Sequence, residues 1–330
     1  MEHHGLSDEE RELARLVREF AEDVVAPQSY EADRTRTLSM DVVAQMGELG
    51  LFGLPFPEDV GGQGGDLVAL CLAVEALARV DQSIAITLEA AVSLGAMPVH
   101  RFGSEEQRQE LLPDLVAGRA LAGFGLTEPE AGSDAGATRT TARLEGDEWV
   151  IDGAKQFITN SGTPITRFVT VTAVTGERDG RKEISTLIVP SGTPGFTVGP
   201  AYDKVGWHAS DTHPLVFDGV RVPEQNLLGE RGRGFAAFLN ILDEGRIAIA
   251  ALATGAAEGC LEEAIAYARQ RVVFGERLAS RQSIQFTIAR MQARVHTARL
   301  ATGRASYTYA LQCAHVCRVG TRRAWAVLSH

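Results

Sequence analysis

The feature that most constrains this chain is a double change of hydrophobic period. Apolar residues recur at helical spacing up to about residue 122, fall into short β-rich runs from Gly123 to about residue 225, and return to helical spacing from about Gly234. A chain of 330 residues with 45% hydrophobic content suits two or three cores better than one. The expected class is α+β and multidomain. It divides into an N-terminal helical domain (residues 1–122), a central β-barrel-like domain (123–228) and a C-terminal helical bundle (229–330).

Local signals place the elements. Ser7-Asp8-Glu9-Glu10 forms a capping box, in which a hydroxyl and a carboxylate satisfy free N–H groups at a helix start. Leu13, Leu16, Val17, Phe20 and Val24 follow, and Pro27 is expected to stop that helix. Further helices are expected over 40–49, from Leu67 to Leu77 as an amphipathic stretch, over 83–101 and over 105–117. Strands are expected around Trp149 and Ile151, over 168–174, 185–189 and 215–217, with turns at Gly146-Asp147, Asp179-Gly180 and Asp218-Gly219. Long helices are expected from Gly234 to Arg271, spanning ~55 Å, and from Arg281 to Leu311.

Composition excludes several function classes. The net charge of −11 argues against nucleic acid as a partner. No Asp or Glu follows Glu276, while nine Arg do. This basic stretch either packs on acidic neighbours or contacts anionic groups such as cofactor phosphates. Cys71 and Cys260 read as core residues, and no disulfide framework is expected. Cys313-x-His315-x-Cys317 lacks a distant ligand pair, so no metal site is expected. No apolar run approaches membrane-spanning length and no leader opens the chain, so a cytoplasmic protein without membrane contact is expected.

Two stretches carry candidate chemistry. Phe124-Gly125-Leu126-Thr127-Glu128-Pro129-Glu130-Ala131-Gly132-Ser133-Asp134 lies where helices give way to strands, and its glycines and hydroxyls can bring backbone N–H groups to a ligand. Lys155-Gln156-Phe157-Ile158-Thr159-Asn160-Ser161-Gly162 reads as a strand end. Simple alternation would put Phe157 and Thr159 on one face, as a stacking surface and a hydroxyl for a flat heteroaromatic ring.

With Leu242-Asp243-x-Gly245-Arg246, Arg271-x-x-Phe274-Gly275 and Gln282-x-x-Gln285, these stretches resemble the acyl-CoA dehydrogenase family, from the first helix to about residue 311. The resemblance implies an FAD enzyme that oxidises the Cα–Cβ bond of an acyl-CoA thioester, here of a short or branched acyl group, to the trans-2-enoyl-CoA. Electrons would pass to an electron-transferring flavoprotein, and the assembly would be a homotetramer. It assigns FAD contacts to Phe124, Leu126, Thr127, Gly132, Ser133, Phe157, Ile158 and Thr159, and to Arg271, Phe274 and Gln282 from a neighbouring subunit. Ser133, Ser210, Asp243 and Arg246 would contact the acyl-CoA.

The resemblance also marks a departure. The family's base is a Glu in a Glu-Gly-Thr-like segment nearer the C-terminus, or, in a minority, a Glu at the position of Gly245; this chain shows neither. Glu244 is one residue away, a rotation of ~100° on a helix, so its carboxylate is expected to point elsewhere. The catalytic base is therefore unassigned. The family pattern fades from Cys313 to His330, so a frameshift or early stop near codon 312 and an incomplete bundle are expected. Three readings stay open: an active dehydrogenase, a non-catalytic flavin- or acyl-CoA-binding protein or partner subunit, and a flavin monooxygenase on the same scaffold.

Overall fold

A computed structural model describes residues 6–319, with side chains as far as residue 312. The helices of the first third are α1 (Asp8–Phe20), α2 (Ala26–Thr35), α3 (Met40–Glu48), α4 (Leu67–Ala78), α5 (Gln82–Glu89), α6 (Met97–Phe102) and α7 (Glu105–Val116). The capping box forms as expected, with Glu10 N–H bonded to Ser7 Oγ and the Glu10 carboxylate returning to Ser7 N–H. Pro27 does not stop the helix. A π-helical turn over Ala21–Val25 connects α1 to α2, and Pro27 sits in the first turn of α2, where a missing N–H costs little.

Two further readings of this region change. Helix α4 is buried on nearly every side rather than amphipathic, because it lies at the centre of the helical core. The run Gln82–Phe102 is continuous through a π segment (Ala90–Ala96) and is long and apolar enough to cross a membrane. Of its most apolar window, 83% is buried inside the fold, which marks a core helix.

The central sheet contains β1 (Leu121–Gly125), β2 (Thr141–Glu145), β3 (Glu148–Thr159), β4 (Thr166–Arg178), β5 (Arg181–Pro190), β6 (Phe196–Val198), β7 (Thr212–Pro223) and β8 (Leu227–Leu228). Its order is β6-β7-β3-β2-β4-β5-β8, with β1 running parallel to β4. Its two outermost strands along this path are β6 and β8. Trp149, Ile151, Val169, Val171, Leu187 and Phe217 fill its own core. Burial of each such side chain contributes about 1.5–3 kcal/mol.

Helix α8 (Gly234–Gln270), a short hairpin of β9 (Val272–Val273) and β10 (Glu276–Arg277), and α9 (Gln282–Val319) complete the described chain. Helix α8 packs against α4 at backbone contact. A Cβ at Gly255 would stand 2.1 Å from Glu75 O, and one at Gly259 would stand 2.1 Å from Arg79 O. Ile241, Ala248, Ala251 and Leu252 of α8 join the same core as α1 and α3–α7, so one apolar mass ties the first helices to the third region.

Among the described residues, the acid-free stretch packs on acidic neighbours at the well-buried Arg299. Arg299 binds Glu75 at 2.5 Å and Glu258 at 2.6 Å. Cys71 is buried as expected, but Cys260 is exposed because it falls on the face of α8 turned away from α4. Cys313, His315 and Cys317 lie outside the described side chains.

Candidate active site

The site is organised by a buried ion pair. Lys155 on β3 has no exposed surface, and its ammonium donates to Glu128 Oε1 at 2.7 Å, Thr172 Oγ1 at 3.0 Å and the Leu126 carbonyl at 3.3 Å. The Glu128 carboxylate also accepts the N–H groups of Arg139 at 2.7 Å and Thr140 at 3.1 Å. Gln156 N–H donates to the Thr127 carbonyl at 2.8 Å. The segment 126–140 is thus pinned at several points to β3. Burial alone would raise the Glu128 carboxyl, but the Lys155 charge and its hydrogen bonds hold it below the usual range. Burial lowers Lys155 to about 8 against the pull of Glu128, which leaves the pair charged at neutral pH.

Strand β3 breaks its alternation where the candidate residues lie. Phe157 has φ 61°, and the ladder to β7 slips between Lys155 and Ile158. The period-2 argument for Phe157 and Thr159 therefore does not apply, because a bulge re-aims the side chain. Phe157 stands 60% exposed with its ring centroid 4.8 Å from that of Tyr202, while Ile158 is buried in the sheet core. A bulky residue at positive φ is uncommon and persists where surrounding structure enforces it. Thr159 pairs with Thr212, and Asn160 N–H donates to the Asp211 carbonyl at 3.1 Å, so Ser210 and Asp211 run alongside the end of β3. Ser210 is buried, and Lys204 donates to its carbonyl. His213 contacts Asp211 Oδ1 at 2.9 Å and the Gly199 carbonyl at 2.7 Å; the bond to Asp211 raises its pKa although burial opposes.

Helix α8 presents two faces here. Asp243 and Arg246 pair at 2.5 Å on the exposed side. Glu244 points inward and binds Arg101 at 2.5 Å, as the ~100° rotation implies. Burial raises its carboxyl, and Arg101 and Tyr309 oppose that. Gly245 lies between these faces, and a Cβ there would stand 3.4 Å from Oε1 of Glu89. Glu89, which the sequence reasoning did not single out, thus lies against Gly245. Its signal was a lone acid inside the apolar run 83–101.

The structure brings Phe124, Leu126, Thr127, Phe157, Ile158, Thr159 and Ser210 into one region. Phe124 stacks on Phe238 of α8 at 3.8 Å between ring centroids. Gly132 and Ser133 are exposed at the loop tip, and nothing lies within 4 Å of a Cβ at Gly132. The residues suit a flat heteroaromatic ligand: a rigid exposed aromatic ring, an open loop tip and hydroxyls alongside. Arg271, Phe274 and Gln282 are not part of this region. They lie at the far end of α8, whose 37 residues span ~55 Å from a start packed on Ser185. Phe274 is 92% exposed there, with the Arg281 guanidinium 5.7 Å from its ring centroid.

Comparison with known proteins bears on the same residues. The family models described as acyl-CoA dehydrogenase N-terminal, middle and C-terminal domains match residues 7–119, 123–220 and 232–324. The probable acyl-CoA dehydrogenase YngJ of Bacillus subtilis is 48% identical over 295 residues, covering 89% of this chain and 77% of that protein. Butyryl-CoA dehydrogenase of Megasphaera elsdenii superposes with a TM-score of 0.88 at 40% identity, covering 94% of this chain and 81% of that one. A chain from a study of the electron transferring flavoprotein of Acidaminococcus fermentans gives 0.89 at 40% identity, with coverages of 94% and 81%. An acyl-CoA dehydrogenase of Bacillus anthracis solved with FAD gives 0.88 at 33%, with coverages of 96% and 53%. With three family models in register along a helix–sheet–helix chain, the protein belongs to the acyl-CoA dehydrogenase family, an FAD-dependent family of oxidoreductases.

Proposed function

We propose that this chain binds FAD and oxidises a short or branched acyl-CoA to its trans-2-enoyl-CoA. One observation carries the reading: Lys155 and Glu128 lock the segment after β1 against the bulge that exposes Phe157. Phe124, Leu126, Thr127, Gly132, Ser133, Phe157, Ile158 and Thr159 would hold FAD, which supplies the hydride-accepting chemistry. Ser210, buried beside Asp211, and Ser133 would contact the acyl-CoA, with Asp243 and Arg246 at its border. Rigid support of this kind orients a ligand without cost at the moment of reaction.

The distant placement of Arg271, Phe274 and Gln282 supports a homotetramer in which they reach a neighbour's cofactor; an Arg fork suits a pyrophosphate. We assign the chain to the cytoplasm, electron transfer to an electron-transferring flavoprotein, and domain borders at 122 and 228. A second reading, a scaffold that binds flavin without turnover, is favoured by Glu244 being held by Arg101.

The test is the visible spectrum of the purified protein with FAD, before and after anaerobic addition of butyryl-CoA. Bleaching supports the dehydrogenase. A flavin spectrum that stays unbleached supports the scaffold, and failure to retain FAD rejects both.

A further inference from the structure

Glu89 closes α5 where the helix widens into its π segment, a departure common at functional positions. Its side chain is fully buried, and among the described residues its Oε1 has no hydrogen-bond partner. The nearby Ser93 hydroxyl favours the charged form, yet it too completes no hydrogen bond. Across the helix contact, Oε1 and a Leu94 methyl at 3.9 Å are the only atoms within 4 Å of where a Cβ on Gly245 would stand, among the described residues. With no side chain at 245, the Glu89 carboxyl lies directly against the Gly245 backbone in the first half of α8. Two residues before Glu89, the Thr87 carbonyl accepts from Asn160 Nδ2 at 3.1 Å. The helix bearing Glu89 is thereby fixed to the end of β3, next to Thr159.

We infer that Glu89 sets acyl-group specificity: its buried carboxyl beside Gly245, with Oε1 unpartnered among the described residues, selects acyl-CoA thioesters whose acyl chain carries a hydroxyl or another hydrogen-bonding substituent. This rests on the acyl-CoA reading above. Burial, opposed by Ser93 and reinforced by Glu244, pushes the carboxyl up to about 8. At neutral pH it is mostly neutral, with one O–H to donate and one carbonyl oxygen to accept. A buried polar atom left unmatched favours the ligand that matches it, and a site built on such a group discriminates strongly against analogues lacking the partner.

The test measures dissociation constants by calorimetry on the FAD-loaded full chain for butyryl-CoA, 3-hydroxybutyryl-CoA and 4-hydroxybutyryl-CoA. Wild type, Glu89→Gln and Glu89→Leu are compared, with thermal melts and free CoA binding as controls for folding. The wild type is expected to bind at least one hydroxylated thioester about tenfold or more tightly than butyryl-CoA. Glu89→Leu should erase or invert that ratio, and Glu89→Gln should keep part of it. Equal ratios in wild type and Glu89→Leu would overturn the inference. So would a Glu89→Gln variant that binds every thioester normally but no longer bleaches with butyryl-CoA, since Glu89 would then be the proton acceptor. If the wild type binds none of the three, the acyl-CoA reading itself fails and this inference with it.

Discussion

Lys155 Nζ and Glu128 Oε1 lie 2.7 Å apart with almost no side-chain exposure on either residue. Neither charge could be buried alone, and together they fasten the segment after β1 to β3. Removing one partner of such a pair typically costs about 3–5 kcal/mol, because the other charge is left uncompensated. Lys155→Met is therefore expected to lower the urea midpoint markedly and to weaken FAD retention. A variant with wild-type midpoint and FAD affinity would show that the pair does not organise the loop.

Glu89 makes stability fall as pH rises. Its folded pKa, about 8, exceeds the ordinary value of 4.5, so the folded chain holds a proton that the unfolded chain releases across that window. Its contribution is complete below about pH 4.5 and is lost as pH rises through about 8. The slope is at most about 1.4 kcal/mol per pH unit for one proton. Glu89→Gln, which cannot ionise, should be the more stable protein at pH 8.5, and denaturant midpoints across pH 5–8.5 should show a flatter profile for it.

The approach of α4 and α8 depends on glycine. A Cβ at Gly255 would meet Glu75 O at 2.1 Å, a backbone atom that cannot swing aside. Gly255→Ala should separate the helices and destabilise by about 1–3 kcal/mol, despite alanine's better helix propensity. Chemical denaturation provides the measurement, and an unchanged or raised midpoint would contradict the packing.

Thr159 stands at the end of β3 beside Thr212 and Asn160. We propose that its hydroxyl hydrogen-bonds the reacting edge of the FAD it would hold, so its replacement by alanine should cost about 1 kcal/mol or more in the rate of flavin reduction. Stopped-flow reduction by butyryl-CoA checks this, and unchanged kinetics would remove Thr159 from the site.

Much of the fold was legible because period is a local property. The capping box at Ser7 and the long run of α8 follow from neighbours within a turn of one another. The candidate stretches 124–134 and 155–162 stood out as well, since each is contiguous. Pro27 was misread because a π turn, which no local pattern announced, let the helix pass through it. Cys260 was misread because helical spacing gives a face but not which neighbour covers it.

The sequence alone therefore determined the order of helices and strands, the family-like motifs and the position of Gly245, all of which depend on residue type and spacing along the chain. Tertiary structure alone decided that Lys155 meets Glu128, that Glu244 turns to Arg101, and that Glu89 faces Gly245. Those pairs lie 27, 143 and roughly 156 residues apart. Residues so far apart in sequence have no local signature. They meet only when helices and sheet close around them and burial leaves each carboxylate few groups to contact.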